Sequence, residues 1–336
     1  MGYYNDKLEV LRDLFGAKEV RAEDECVVID GTVYPVLDDV IVLLNPVQWP
    51  RGVQARLEGN ESEFSLSVSE EFASDIQTTF GAEWQKFSKL LPDYDDVFRR
   101  YFDIVPDQLM DGTRVFDLGC GTGRWSTFLK DRARELVMVD FSEAIFVARE
   151  NLRESHNALF FLGDIARLPF RAGSADLVVC VGVLHHLPVD ALEVSRSLGK
   201  FAPALLIYLY YSFDNRPVFY RGMFVVADLL RRVVSRVHNN SVRTALSWAG
   251  TVMLYVPLVW LGHLLRPLGL SRHVPLYQGY RDKSLGLMRQ DFYDRFFTGI
   301  EQRFSRKEIL ALTDTYARVT VSDSIPYWHF LCENSK

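Results

Sequence analysis

A mixed α/β fold built on a parallel sheet is predicted by three observations. From residue 113 onward, short apolar runs alternate with amphipathic helical segments. One of those runs, Arg114–Leu118, enters a loop with glycines at 119, 121 and 123 and then a helical pattern. The next three runs each end at, or lead into, a chemically capable side chain: Asp140, Asp164, and the pair His185-His186. Alternation of this kind requires right-handed crossovers and gathers the loops at the C-terminal strand ends, where open α/β sheets bind ligands.

Composition narrows the class. A chain of 336 residues, 48% of them hydrophobic, has ample core for one large domain with additions or for two domains. The net charge of −6 argues against attraction of the whole surface to nucleic acid. Cys26, Cys120, Cys180 and Cys332 are scattered with no CxxC pair, so neither a disulfide framework nor a zinc knuckle is indicated and no metal is expected. The stretch MGYYNDKLEVLRDLFG carries charges throughout and has no apolar core, so it does not read as a signal peptide. The expectation is a reducing, cytoplasmic compartment.

In chain order, residues 1–50 read as a small β-rich module. Asp30-Gly31 between Val27–Ile29 and Thr32–Tyr34 is a strong hairpin signal, and Asp38-Asp39 marks a second turn before Val40–Leu44. Residues 51–110 read as a linker and N-terminal helices, with Phe80, Trp84, Phe87, Leu90 and Leu91 near helical spacing. Strands are predicted at Arg114–Leu118, Leu136–Asp140, Leu159–Leu162, Leu177–Val183 and Ala204–Tyr210. The helices between them fall at Gly123–Ala133, Glu143–Leu152 and Val189–Ser197. A capping box, Ser305 to Glu308, opens a late helix, and Ala317–Val321 with Tyr327–Cys332 close the sheet as a hairpin. The sheet domain is thus 111–211 with 292–336, and 212–291 is a helical insertion before the last strands.

Glycine at 119, 121 and 123 lets the backbone turn tightly and lets a ligand approach without interference from Cβ. The helix beyond supplies free N–H groups and positive potential. Asp140, 17 residues after Gly123, stands where a carboxylate accepts the hydroxyls of a ribose. Asp164 suits the exocyclic amine of adenine. Strand-end acids also make Asx turns, which is the plain alternative for both. His185 and His186 read equally as structural histidines or as a general base, with His186 favoured if one acts. Tyr208 and Tyr211, with Arg216, leave the fifth strand at the same sheet edge and are read as substrate-pocket residues.

At these residues the sequence resembles the class I S-adenosylmethionine (SAM)-dependent methyltransferases, in the small-molecule branch that includes the ubiquinone and menaquinone biosynthetic enzymes. FDLGCGTG, VDFSEAI, GDIARLPF and GVLHHL carry the resemblance in order, over roughly residues 80–211 and 300–334. The GxGxG spacing departs from the dinucleotide fingerprint, so a nicotinamide enzyme fits less well. The resemblance implies a Rossmann-like seven-stranded sheet and SAM as cofactor. It implies that Asp117 orders the glycine loop, that Gly119, Gly121 and Gly123 run beneath the cofactor, and that Asp140 binds the ribose. Phe141 would cover an adenine face, Asp164 and Ile165 would read the adenine edge, and Val181 would contact the methionine end.

Residues 11–44 resemble a short zinc-ribbon-like module, but with Cys26 alone the ligands for zinc are lacking. The insertion is unusual in charge. Residues 212–273 hold eight arginines and two acids, a balance of +6 that leaves −12 on the rest of the chain. Thr244–Leu265 runs 22 residues without a charge, long enough to span a bilayer. Topology opposes a single span, because the last strands must rejoin the same sheet. Pro257 and Gly250 are expected to kink or weaken a continuous helix. Three readings follow: a lid over an apolar acceptor, a membrane-surface element with arginines at anionic headgroups, or a homodimer contact. Nucleic acid is disfavoured. The function expected is methyl transfer by in-line displacement to oxygen or carbon of a small or lipid-like acceptor; the rival is a non-catalytic module that binds SAM or its product and recruits a partner protein.

Overall fold

The computed structural model describes residues 2–57, 77, 81, 91, 93–214, 218–237, 239–323 and 328–334. Phe80, Trp84, Phe87, Leu90 and Arg216 therefore lie outside the described residues. Eleven strands form one sheet: β1 (Val20–Ala22), β2 (Cys26–Ile29), β3 (Thr32–Leu37), β4 (Val40–Val42), β5 (Arg114–Leu118), β6 (Glu135–Asp140), β7 (Ala158–Leu162), β8 (Leu177–Val181), β9 (Ala204–Leu209), β10 (Arg318–Val321) and β11 (Trp328–Glu333). Their order is β1-β2-β3-β4-β7-β6-β5-β8-β9-β11-β10. From β4 to β9 neighbouring strands are parallel, and β11 enters antiparallel between β9 and β10.

The seven strands expected from the sequence are all present, but the sheet does not stop at seven. The N-terminal strands extend it instead of folding as a separate module. The physical reason is an edge. Val40, Ile41 and Val42 are all buried, and they pair in parallel with Phe160, Phe161 and Leu162, covering the backbone that β7 would otherwise expose. Both anticipated turns are tight and left-handed, with Asp30 and Gly31 at φ 46° and 82° and Asp38 and Asp39 at φ 45° and 62°. Tyr4 fastens the start of the chain to this edge, donating its hydroxyl to the Asp39 carbonyl at 2.7 Å.

Alternate residues of the central strands feed cores on the two faces. Leu159 and Phe161 join Phe116, Val137 and Val178 on one face, while Phe160 and Leu162 join Val115, Leu136 and Val179 on the other. Helices α1 (Leu8–Phe15), α2 (Arg51–Leu57), α3 (Tyr94–Tyr101), α4 (Ser126–Leu129), α5 (Ala144–Asn151) and α6 (Ala191–Leu198) accompany the sheet. The α4 helix is shorter than its apolar pattern suggested, because the glycine loop keeps turning through Gly123 at φ 76°.

The insertion carries a core of its own. It comprises α7 (Val218–Val234), α8 (Asn240–Gly250), a π turn at Thr251–Tyr255, α9 (Val256–Leu265), α10 (Tyr277–Tyr280) and α11 (Leu285–Phe297). Tyr255, Val259, Tyr277, Met288, Phe292 and Phe297 are among its buried side chains. The boundary expected at 291/292 falls inside α11, so the helical insertion runs on to Phe297. Gly250 and Pro257 do not interrupt the long helix either. The wider π turn accommodates the proline at the start of α9, and the helix is continuous over Ser241–Leu268. Among the described residues it is the one helix long and apolar enough to cross a membrane, by length and composition alone. Its glycines are packing seats: a Cβ on Gly250 would stand 2.0 Å from Phe292, and one on Gly262 would stand 2.1 Å from Tyr277. The last helix, α12 (Arg306–Leu310), begins with the anticipated Ser305–Glu308 capping box.

Gly250→Ala should therefore overpack the α8–α11 contact, at a cost of about 1–3 kcal/mol. Proteolysis should become faster within 218–297 while the sheet domain stays protected. Cleavage at the wild-type rate would show that the two helices are not in close contact.

Candidate functional site

A cavity of about 240 Å³ opens at the C-terminal ends of the central strands. Its floor is the loop after β5, where Gly119, Cys120 and Gly121 line it. Gly119 and Gly121 have φ of 76° and 55°, which only glycine adopts readily. Space enforces the same choice at Gly119, where a Cβ would lie 2.4 Å from Val183. Gly123 serves a different purpose. A Cβ there would meet Leu152 at 2.5 Å, so it seats the loop against α5 and does not line the cavity.

Asp140, at the end of β6, fixes one side. One carboxylate oxygen accepts the Gly121 amide at 2.9 Å, and the other accepts the Ser142 amide at 2.9 Å and its hydroxyl at 2.7 Å. Burial raises its pKa above the usual carboxylate value, and the Ser142 and Gly121 donors oppose that shift. A carboxylate has about four acceptor sites. The Gly121 amide and the Ser142 amide and hydroxyl fill three of them, and the Phe141 amide also bears on the carboxylate. Phe141 and Val181 complete this half of the lining.

Asp117 sits below the floor and outside the lining. It accepts the Ser126 hydroxyl at 2.7 Å, binding the loop to the first turn of α4. Burial pushes its pKa up to about 7, against the Ser126 hydrogen bond, with the nearby Asp140 charge adding to the rise. Asp164 caps the turn at Ile165–Arg167 by accepting the Ala166 amide at 2.9 Å. Neither Asp164 nor Ile165 lines the cavity.

The opposite wall pairs the sheet with the insertion. His186 lines it and His185 does not. His185 is fully buried against Tyr210, ring centroids 3.9 Å apart, and desolvation holds its pKa well below the usual histidine value. It is a core side chain. His186 Nδ1 lies 2.8 Å from the Ile300 carbonyl, which can only accept, so Nδ1 carries the proton. In the neutral ring Nε2 then holds the lone pair, and it lies 4.0 Å from Asp294. Burial raises the Asp294 pKa, while His186 pulls it down. Tyr208 stacks on Tyr101 of α3 at 5.2 Å, and both line the cavity. Tyr211 faces a second cavity instead.

Sequence reasoning missed the insertion's contribution to this wall. Gln290, Asp291 and Asp294, on successive turns of α11, line the cavity with Tyr280 and Lys283. Gln290 accepts the Tyr94 hydroxyl at 2.6 Å, and Lys283 donates to Asp96 at 2.6 Å, so α11 is held across the opening to α3. The available signal was Gln290-Asp291 with Asp294, a polar i, i+1, i+4 group on an otherwise aromatic helix. Arg281, grouped with Lys283 in the sequence, pairs with Asp282 in solvent.

Comparison with known proteins agrees with the floor of this site. Residues 115–200 match the model of a methyltransferase domain family. A demethylmenaquinone methyltransferase from Beutenbergia cavernae is 35% identical over 135 residues, covering 33% of this chain and 55% of that protein. A ubiquinone biosynthesis O-methyltransferase from Aromatoleum aromaticum is 33% identical over 136 residues, covering 36% of this chain and 58% of that protein. The solved DhpI–SAH complex is similar over 80% of this chain and 100% of its own, at 14% identity and a TM-score of 0.47. The chain spans little more than half the length of these two sequence relatives. Residues 115–200 are thus similar to a methyltransferase domain, within a mixed α/β fold with a large central sheet.

The raised Asp117 pKa has a consequence for stability. A carboxyl that titrates near 7 when folded and near 3.8 when unfolded favours folding most at low pH. That contribution, about 4 kcal/mol at most, is lost as pH rises from about 4 through about 7. Asp117→Asn should flatten this part of the pH–Tm curve and raise Tm at pH 8. A curve unchanged by the substitution would place the Asp117 proton elsewhere.

Proposed function

We propose that this chain is a SAM-dependent methyltransferase that moves a methyl group to oxygen or carbon of a small or lipid-like acceptor. The observation that carries the reading is the pairing of two walls: Gly119–Gly121 with Asp140 on the sheet side, and His186 with Asp294 on the other. When bound, SAM supplies an activated methyl group on a sulfonium, so alignment accounts for much of the acceleration. Gly119, Cys120 and Gly121 give the cofactor a backbone floor, Asp140 receives a ribose hydroxyl, and Phe141 and Val181 flank it. Asp117 acts through Ser126, keeping the floor in place.

The acceptor's proton goes to His186. Its Nδ1 is held by the Ile300 carbonyl, so the lone pair is on Nε2, on the Asp294 side of the ring. The imidazolium that forms is steadied by the Asp294 carboxylate 4.0 Å away. Tyr208 and Tyr101 form a flat aromatic wall against which an acceptor ring or chain can lie.

The insertion supports a cytoplasmic chain that works at a membrane surface. Phe219, Met223, Val226, Leu229 and Val233 are exposed along α7, and Trp260 and Leu264 along α9. Arg221, Arg232, Arg236, Arg266 and Arg272 are exposed around them. An anionic bilayer complements that mixture. A second copy of the chain would bring the same arginines together across a two-fold axis, so the bilayer is the better occupant.

Asp140→Ala should weaken binding of S-adenosylhomocysteine at least tenfold by calorimetry with the far-ultraviolet dichroism intact; wild-type affinity would remove Asp140 from the site. His186→Gln should lower kcat by about 10²–10⁴-fold with little change in cofactor KM, and an unchanged kcat would refute the general base. With methyl-tritiated SAM and a cell lysate, label should enter the organic phase. Label confined to water-soluble products would retire the membrane reading, and no transfer to any fraction would favour the non-catalytic alternative.

A further inference from the structure

A second cavity, of about 410 Å³, lies within the insertion, between α7, the long helix and the segment 272–279. Its size is that of a ligand pocket, about 300–1,000 Å³. Met223, Phe224, Leu254, Leu258, Val274 and Phe296 are among the residues that line it. The charged groups at its inner end satisfy one another: Arg231 meets Asp228 at 2.6 Å, Arg303 meets Glu301 at 2.5 Å, and Arg295 meets Asp291 at 2.6 Å. What they leave facing the space is largely carbon. An apolar lining of this kind is better covered by hydrocarbon than by water.

Two connections say what occupies it. Gln278 and Gly279 of α10 line this cavity and the methyl-transfer cavity alike, so a single layer of chain separates them. A Cβ on Gly279 would meet nothing within 4 Å, which leaves that layer thin. At the other end, Val226 and Leu230 line the cavity while remaining 61% and 54% exposed. The cavity thus opens onto the apolar outer face of α7 and, at Gln278–Gly279, adjoins the cavity that His186 and Asp294 line.

We propose that this cavity holds the hydrocarbon chain, acyl or isoprenoid, of the methyl acceptor, whose reactive head reaches past Gly279 to His186. The assignment rests on the methyltransferase reading for its head end and on the cavity alone for its chain end. Chain length then governs affinity: each methylene withdrawn from water adds about fourfold until the space is filled.

The test uses the full chain and cis-parinaric acid, a fluorescent fatty acid, with n-alkanols of eight to sixteen carbons as competitors. Saturable binding is expected, with competition strengthening about fourfold per methylene and then levelling off. Ala227, on the α7 side of the cavity, provides the variant: Ala227→Phe should weaken parinaric acid at least tenfold. Met223→Trp, at the solvent-exposed rim, repeats the test should the first variant fail to fold. S-adenosylhomocysteine affinity, measured in parallel, should be the same in wild type and variants. Absent or unsaturable parinaric binding, or binding that neither variant weakens, would overturn the assignment. Saturable chain binding in a protein that does not bind S-adenosylhomocysteine would uphold the chain site and overturn its link to methyl transfer.

Discussion

The site depends on one buried carboxylate. Asp140 ends β6, yet it accepts from Gly121, which belongs to the loop after β5, as well as from Ser142 beside it. Those bonds couple two strand ends that side-chain packing alone would leave free to shift. Desolvating a carboxylate is costly unless its acceptor sites are filled, and here the backbone fills them only when the glycine loop is turned correctly. The loop conformation and the charge therefore require each other. Asp117 and Ser126 repeat the arrangement one layer down, where the carboxylate has fewer donors and its pKa climbs to about 7.

Above this rigid floor the insertion is a second body with its own aromatic core. Tyr94–Gln290, Lys283–Asp96 and Ser284–Asp93 join it to α3 across the cavity mouth. Polar contacts of this sort contribute about 0.5–1.5 kcal/mol each, somewhat more where charged. Separating them costs far less than opening either core. The cavity thus has one wall set by the sheet and one set by the insertion.

Much of this was legible in the sequence. The strands were readable because β5 to β9 are buried on both faces and so appear as unbroken apolar runs ending at Asp140 or Val181. The Asp30-Gly31 and Asp38-Asp39 turns announced themselves through residues that tolerate positive φ. Sequence could not show that Val40–Val42 would join β7, since a short apolar run does not reveal its partner or its direction. Sequence favoured His186 over His185 should one act, but only the fold shows that His185 packs on Tyr210 while His186 lines the cavity. Gly123 looked like Gly119 and Gly121, and only the distance to Leu152 shows that it is a packing residue.

The acceptor wall was hidden for a related reason. Gln290, Asp291 and Asp294 acquire meaning only because α11 is laid across strand ends more than 80 residues earlier in the chain. The methyltransferase-domain match ends at residue 200, before α10 and α11 begin. One part of the cavity is therefore built from residues inside the matched segment, and the rest from α3, β9 and the insertion. Specificity is a difference in affinity between competing acceptors, and it can arise only where those acceptors touch the protein differently. Around the cavity those surfaces come from Tyr101 and Tyr208 on α3 and β9 and from Tyr280 to Asp294 in the insertion. Selectivity in the proposed reaction would therefore draw on the insertion as well as on the sheet.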